Sequence, residues 1–473
     1  MFNINYSDNM ILEQKRTSIW QDDLKRRRDV LKSLDYYSNN QEYYLDNLLS
    51  TIYPVTHTKV ARYAETYPLT QRVIDDTSIL FQDPVLVQID KDNLFDEFTD
   101  MLESSMFNAT LDKVNKFVNL TYKLGVMPVY RDGVVELDII TGDKCFVYQD
   151  INNPTKITDL FIHISGLEQT PSSRADHRID QYIRWNNETQ STVNVDIANG
   201  KILSETNIEL NPYGKIPIIW FTNDLQINNF WPEKNNPIIE SNGWINVDTT
   251  NLNLMYSFQA YSTLVIIGMD DKAIKDIEWG PQALLAMKSD PATETQPSAN
   301  YINPSPKLSE YEMAIANKKV DAAQAAGLSA QAYKKDNTSF SSGYMLKLSN
   351  ETLLKRVKSD RQYYVAPIKS LLSLMMITWS MNNTAKSFPE DTEIRLNYSE
   401  ITYDSSPIEK AQMNVILLSQ GLTSAVEIIM QEDPDITEDE AILQLKKYQE
   451  HKTLINDSTT NRLTNILTPV EEV

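Results

Sequence analysis

The chain has 473 residues, 41% of them hydrophobic and 23% charged, which asks for more than one hydrophobic core and excludes wholesale disorder. Its 44 Lys+Arg against 65 Asp+Glu leave a net charge of −21, which excludes a protein that grips nucleic acid by neutralising phosphates. Only 12 glycines and the single cysteine Cys145 argue against glycine-rich phosphate cradles, exclude an intramolecular disulfide and fit a reducing site of folding. The opening MFNINYSDNMILEQKRTSIW has no apolar signal core, so a soluble, non-exported chain is expected.

In chain order, residues 9–50 carry apolar residues at helical spacing and a basic run, Lys25 to Arg28. That run reads either as a nucleic-acid contact or as a solvated helix face, and the neighbouring Asp22 and Asp23 favour the face. Tyr36, Tyr37, Tyr43 and Tyr44 pair at i and i+7, which favours core or subunit contact over base stacking. A helix follows from about Pro68 to Leu80, then a strand, PVLVQID. Residues 91–125 read as helix with Gly125 as its C-cap. From 126 to 221 the pattern alternates in twos, with hairpin signals at Asp132-Gly133 and Asn199-Gly200. The expected fold class is therefore α+β, an antiparallel layer laid on helices.

A polar link, 225–243, leads to the stretch that organises the chain. Residues 244–269 read as a long helix with a seam of Leu254, Phe258, Tyr261, Val265 and Gly268. Residues 270–306 hold Pro281, Pro291, Pro297, Pro304 and Pro306 and are expected to form a small β-containing or irregular tip. Residues 307–333 read as an alanine-rich returning helix with thin sides and an interior weak point at Gly327. A polar hinge spans 334–350, and one long helix kinked at Pro367 spans 350–381. A strand follows at 392–401, then helices at 406–431 and 437–452, the last opened by a Thr437–Glu440 capping box.

Catalytic patterns are hard to find. His57, His163, His177 and His451 do not fall at metal-ligand spacing, the Gly-Lys pairs lack a P-loop's context, and no G-x-S-x-G occurs. No cofactor or metal is expected, and 65 acids are read first as solvated surface. A carboxylate-based hydrolase is the enzymatic alternative.

Several segments, in order, resemble the tailed-phage portal proteins of siphophages that infect Gram-positive bacteria. LDYYSNNQEYY (34–44), ETYPLTQRVIDDTSILFQDPV (65–85), YGKIPIIWFTND with NPIIESNGWINVDTTNLNLMYSF (213–258) and SSGYMLK (341–347) carry the likeness. Asn39 or Asn40 stands where that family has glycine, and Met345 where it has alanine.

The resemblance implies a non-enzymatic dodecameric ring at one capsid vertex, with double-stranded DNA passing through it. It also implies contacts with the terminase large subunit, a head-to-tail adaptor, and major capsid and scaffolding proteins, assembly in the host cytoplasm and no membrane. Residues 1–243 would be a wing, 244–269 and 307–333 stem helices, 270–306 a clip, 334–350 a tunnel loop, 351–405 a long wing helix and strand, and 406–473 a crown with a tail. Lys334, Lys335, Asn337, Thr338, Ser339, Ser341 and Ser342 would face DNA, although the two lysines equally suit a helix C-terminus. Trp279, Pro281, Asp290 and Tyr301 would dock the motor or adaptor. Another head–tail connector or minor capsid component is the structural alternative.

Overall fold

The helical run expected over 9–50 breaks at Asn39. In the computed structural model, α1 spans Tyr6–Tyr37 and α2 spans Glu42–Ile52. Asn39 takes a left-handed φ of 61°, and the Asn40 N–H donates to the Asp35 carbonyl at 2.8 Å. This is a Schellman-type ending in which asparagine does what glycine usually does. The structure describes residues 6–150, 152–164, 179–227, 229–232, 234–259, 263–267, 298–302, 308–333, 351–383, 387–389, 391–398, 407–432, 436–438 and 440–448. The chain divides into two compact units, Met1–Thr338 with Asn350–Ile401, and Ser339–Ser349 with Thr402–Val473.

In the first unit, α3 (His57–Val60) and α4 (Leu69–Thr77) follow α2, and β1 (Leu86–Ile89) leads to α5 (Phe95–Ser104) and α6 (Phe107–Thr121). The single helix expected over 91–125 is thus two, and Gly125 does not cap it. Tyr122, at φ 67°, ends α6, and Gly125 lies inside β2, where an added Cβ would come within 2.4 Å of Ile218 Cδ1. β2 (Lys123–Arg131) turns into β3 (Val134–Thr141) through Asp132 and Gly133, both at positive φ, the type I′ hairpin expected of Asp-Gly.

With β9 (Ile219–Thr222) these strands form an antiparallel sheet in the order β3-β2-β9. A second, five-stranded antiparallel meander joins β4 (Cys145–Gln149), β5 (Ile157–His163), β6 (Ile179–Trp185), β7 (Thr189–Asp196) and β8 (Lys201–Leu210) in chain order. The α+β class read from the alternation is the class observed.

The main core lies on the helical face of the three-stranded sheet. α7 (Pro237–Gln259), α8 (Leu308–Ala325) and α9 (Glu351–Asn382) contribute to it together with α4, α5 and α6. α9 continues through Pro367 and buries Tyr364, Ile368, Leu371, Leu372 and Met375. β12 (Ile394–Asn397) returns to pair antiparallel with β1.

The basic run on α1 is only half a solvated face: Lys25 and Arg28 are exposed, whereas Arg26 and Arg27 turn inward. Arg26 donates to the carbonyls of Gly142 and Cys145, each at 2.9 Å, and its guanidinium lies 3.9 Å over the Trp231 ring. Arg27 is buried, donates to the Tyr182 hydroxyl at 2.9 Å and pairs with Asp23 at 2.9 Å. These cations therefore clamp α1 to the strands. Trp20 completes the clamp by donating to the Ile197 carbonyl at 2.7 Å. Gly200 permits it, because a Cβ there would sit 2.6 Å from the Trp20 ring. The tyrosines pair across the helix break: Tyr36 is fully buried 5.6 Å from the Tyr44 ring, while Tyr43 is exposed.

In the second unit the helix expected over 406–431 is two, α10 (Pro407–Ser419) and α11 (Ala425–Glu432). The Leu422 N–H reaches back to the Leu417 carbonyl at 3.0 Å, closing α10 at Gly421. Ser424 and Glu427 form a reciprocal capping box at the start of α11, at 2.9 and 3.1 Å. The Thr437–Glu440 box is also formed, with the Thr437 N–H donating to the Glu440 carboxylate at 3.0 Å.

One buried cation has no acid beside it. Lys123, at the start of β2, donates to the Phe230 carbonyl at 2.5 Å, and its ammonium lies 3.5 Å from the centre of the Phe230 ring. Burial pushes it down from 10.5 to about 8. Below about pH 8 it is charged in both the folded and the unfolded chain, so the cost of burying the charge is fully present, roughly 3 kcal/mol. As pH rises from 8 to 10.5 the folded state deprotonates first and the cost disappears. Lys123→Met is expected to raise stability at pH 7 by about 1–2 kcal/mol, after allowing for the lost hydrogen bond, and the gain should vanish by about pH 10.5. Denaturant unfolding of both proteins across that range checks it; a constant difference would show that the buried charge is not the cause.

Candidate functional site

The first long helix of the organising stretch begins seven residues before its expected start at 244. Asn236 caps it, its side-chain oxygen accepting from the Ile238 N–H at 3.3 Å, and Pro237 takes the first helical position. The Asn236 amide also donates to the carbonyls of Asn119 and Leu120, at 2.9 and 3.2 Å, and so joins the start of α7 to the end of α6.

Along α7 the residues Asn242, Asn246, Thr250, Asn253 and Ser257 recur at steps of four, four, three and four, which puts them on one face. Segment 63–70 lies against that face. The N–H groups of Thr70 and Tyr67 donate to Asn242 and Asn246, each at 2.9 Å, and that of Glu65 to Thr250 at 3.3 Å. Asn253 reaches the Glu65 carboxylate at 2.6 Å, and the Ser257 and Tyr63 hydroxyls meet at 2.9 Å. Gln41 closes the far side, accepting from Asn242 at 3.2 Å and from Asn246 at 2.6 Å. Gln41, Thr70, Asn242, Asn246 and Thr250 are all fully buried, and every polar side chain among them has a partner.

α8 runs antiparallel to α7. Tyr256 donates to Glu312, whereas Asp248, two turns earlier, accepts from Tyr311 at 3.2 Å and pairs with Lys318. α8 ends at Ala325, not at the expected 333. Gly327 adopts φ 88°, its N–H donates to the Gln324 carbonyl at 2.9 Å, and the Leu328 N–H donates to the Ala323 carbonyl at 3.0 Å. The expected weak point is therefore a Schellman terminator. After a short turn of helix, Tyr333 donates to Asp76 at 2.7 Å, and the Arg72 guanidinium lies 4.4 Å over its ring, tying the end of this segment to α4.

The far end of α7 differs most from expectation. The helix ends at Gln259, and Thr263–Ile267 form β10, paired antiparallel with β11, Ser298–Ile302. The seam expected through Val265 does not exist as a helical stripe, because Val265 sits on a strand opposite Asn300. Tyr301 lies in β11 opposite Leu264. Trp279, Pro281 and Asp290 fall outside the described residues, as do Lys334, Lys335, Asn337, Thr338, Ser339, Ser341 and Ser342.

The alanine-rich side of α8 leaves a cavity of about 130 Å³ lined by Ala322, Ala325, Ala326 and the start of α7. Arg356 enters it, donating to the Ala326 carbonyl at 3.2 Å and to Asn119 Oδ1 at 3.1 Å. The volume is well below the roughly 300 Å³ of a typical ligand pocket. Elsewhere, burial pushes the Cys145 thiol up to about 12, His57 meets Asp46 at 2.8 Å in the open, and no cluster of metal-ligating side chains occurs among the described residues. No described helix is long and apolar enough to cross a membrane.

No family model matches the sequence, and no curated protein matches it. Among solved structures, a chain in the virion of a native gene transfer agent particle is similar at TM-score 0.46 and 12% identity, over 79% of this chain and 92% of that one. A chain in the neck of an empty particle of the same kind, computed with C6 symmetry, is similar at 0.44 and 11%, over 81% and 93%.

Asn242→Ala leaves the Thr70 N–H and the Gln41 side chain short of a partner and is expected to cost about 3 kcal/mol. Asn242→Asp, the same size but unable to donate, should cost more, because it faces the Tyr67 carbonyl and Asn246 Oδ1 with a carboxylate. Thermal melts at one fixed protein concentration would check the order; a smaller loss for the aspartate would contradict it.

Proposed function

We propose that this chain is a structural subunit of a tailed-phage type particle and, more finely, a portal: a ring of copies at a capsid vertex through which double-stranded DNA passes. The observation that carries the reading is the antiparallel α7–α8 pair bracketing the β10–β11 strands. It is an out-and-back stem with a β-containing end, carried on an α+β body. The ordered segments resembling siphophage portals support it. So does the net charge of −21, which suits a conduit along which DNA slides, since each phosphate neutralised would be a point of retention. The motor and the head-to-tail adaptor would dock at the end of the stem, and the segment after Tyr333 would face the channel.

Native mass measurement with negative-stain imaging tests this. The expected result is particles of hundreds of kilodaltons with a central opening. Monomers or dimers alone, across protein concentration and salt, would refute it. Replacing 270–296 by a short linker, which keeps both strands of the β10–β11 pair, should leave rings intact and abolish docking of the packaging motor or adaptor. Loss of rings would instead make this segment part of the ring contact.

A further inference from the structure

Met106 is a residue that the folded subunit does not explain. It follows α5, its N–H donates to the Glu103 carbonyl at 3.0 Å, and its carbonyl accepts from Thr110 at 2.9 Å. It does this at φ 50°, a left-handed conformation costly for a long side chain. Where the same conformation ends α1, α6 and α8, the chain places Asn39, the half-buried Tyr122 and Gly327. At 106 it places a methionine and leaves the side chain 72% exposed. Two more apolar side chains are exposed on the neighbouring elements: Leu86 at 60%, next to Val85, which bonds to Asn108 just past Met106, and Phe95 at 45%, at the other end of α5. Between them α5 exposes Asp96, Asp100 and Glu103 at helical spacing, and no ion pair engages these three among the described residues. Local strain and exposed apolar area kept together are expected at an interface, not on a free surface.

The matching surface is on the same chain. α9 exposes a stripe of Lys358, Gln362, Val365 and Lys369, flanked by Ser359, Ala366 and Ser370. Neither Lys358 nor Lys369 has an ion-pair partner among the described residues, and the stripe's one acid, Glu351, is paired with Lys355 at 2.7 Å. Small side chains make it a shallow surface against which a methionine can pack. In a chain with 21 more acids than bases, a basic stripe free of uncompensated acids is a distinct feature. Two unpaired lysines set 11 residues apart are too few to hold DNA, but they complement the three free carboxylates of α5.

We propose that the Met106 face of one copy docks on the α9 stripe of a second copy, with the α5 carboxylates, from Asp96 through Asp100 to Glu103, facing Lys358 and Lys369. The contact is heterologous, because each copy offers one face and receives on the other, so its repetition closes a ring or propagates a filament. This inference rests on the ring reading and names the surfaces that would build it.

A charge swap tests it, with assembly read by native mass measurement at low and high salt. Asp100→Lys with Glu103→Lys, or Lys358→Glu with Lys369→Glu, should raise the concentration needed for half-assembly by roughly tenfold or more. All four changes in one chain should restore assembly, as should an equal mixture of the two defective proteins. Met106→Gly should weaken assembly while leaving the subunit's melting temperature unchanged or higher, which separates interface from folding. If the wild type forms rings and both reversals form them equally well, the docking is wrong and the ring stands. If both reversals fail and neither the swap nor the mixture rescues, the pairing of these faces is wrong. If the wild type never exceeds a dimer, the ring reading falls and the docking with it.

Discussion

The polar ladder between α7 and segment 63–70 is the contact on which the organising part of the molecule depends. A helix that leaves a body and carries something at its far end needs a defined rotation and a defined height. Apolar packing alone is tolerant of both, since one leucine can replace another after a slip of a turn. Hydrogen bonds from Thr70, Tyr67 and Glu65 to Asn242, Asn246 and Thr250 are not tolerant. A rotation that turns the polar stripe away from segment 63–70, as a slip of one or two residues does, leaves a buried backbone donor without an acceptor at each rung, and each such loss costs about 1–3 kcal/mol. The ladder therefore acts as a register lock. Gln41 extends it to the start of α2, directly after the Asn39 turn, so the same network sets the break between the first two helices.

The return path is built on different physics. α8 meets α7 through charged and phenolic groups near its exposed edge and through Ile315, Val320 and Ala323 at the core. Its alanines bring it close without filling the space beside α4, which leaves the cavity that Arg356 partly occupies. A thin helix supported on one side is easier to shift than a ladder-locked one, and the cavity offers it somewhere to move. The asymmetry puts the rigid member of the pair on the outgoing strand of the chain. It puts the more adjustable member next to the segment that begins after Tyr333, whose own phenol fixes where that segment starts.

Much of the fold was legible where the deciding physics is local. Period-two alternation over 126–210 marked the strands, Asp132-Gly133 marked a type I′ turn, and Thr437–Glu440 marked a helix start. The features that were not legible were decided at a distance. Asn39, Tyr122 and Gly327 end helices because the chain must turn left-handed there, a demand set by where the next element packs. β10 finds its partner 31 residues on from its last residue, so Val265 reads as helix until Ser298–Ile302 are laid beside it. The ladder itself was open to view as a stripe of Asn, Thr and Ser at helical spacing, but a search for an apolar seam passes over a polar one. Likewise the Asn236-Pro237 cap lay inside a stretch that read as a linker.

The treatment of positive charge joins these observations. Several arginines are engaged within the subunit: Arg26 and Arg27 fasten α1 to the strands, Arg184 bridges Asp159 and Glu205, the exposed Arg131 holds Glu136 and Asp138, and Arg356 closes the α6–α8 junction. Each neutralises acids or satisfies carbonyls within the subunit and adds nothing to an external basic field. An arginine paired with an acid cancels both charges, so the surface keeps the sign that the net charge of −21 gives it. Copies of such a surface repel one another unless cations stand where a neighbour's carboxylates arrive, since opposed like charges cost several kcal/mol at an interface. Under the proposed docking, Lys358 and Lys369 on α9 serve in that way, on a stripe whose only acid is already paired. In a strongly acidic chain, the placement of its uncompensated cations therefore says more about self-association than about binding polyanions.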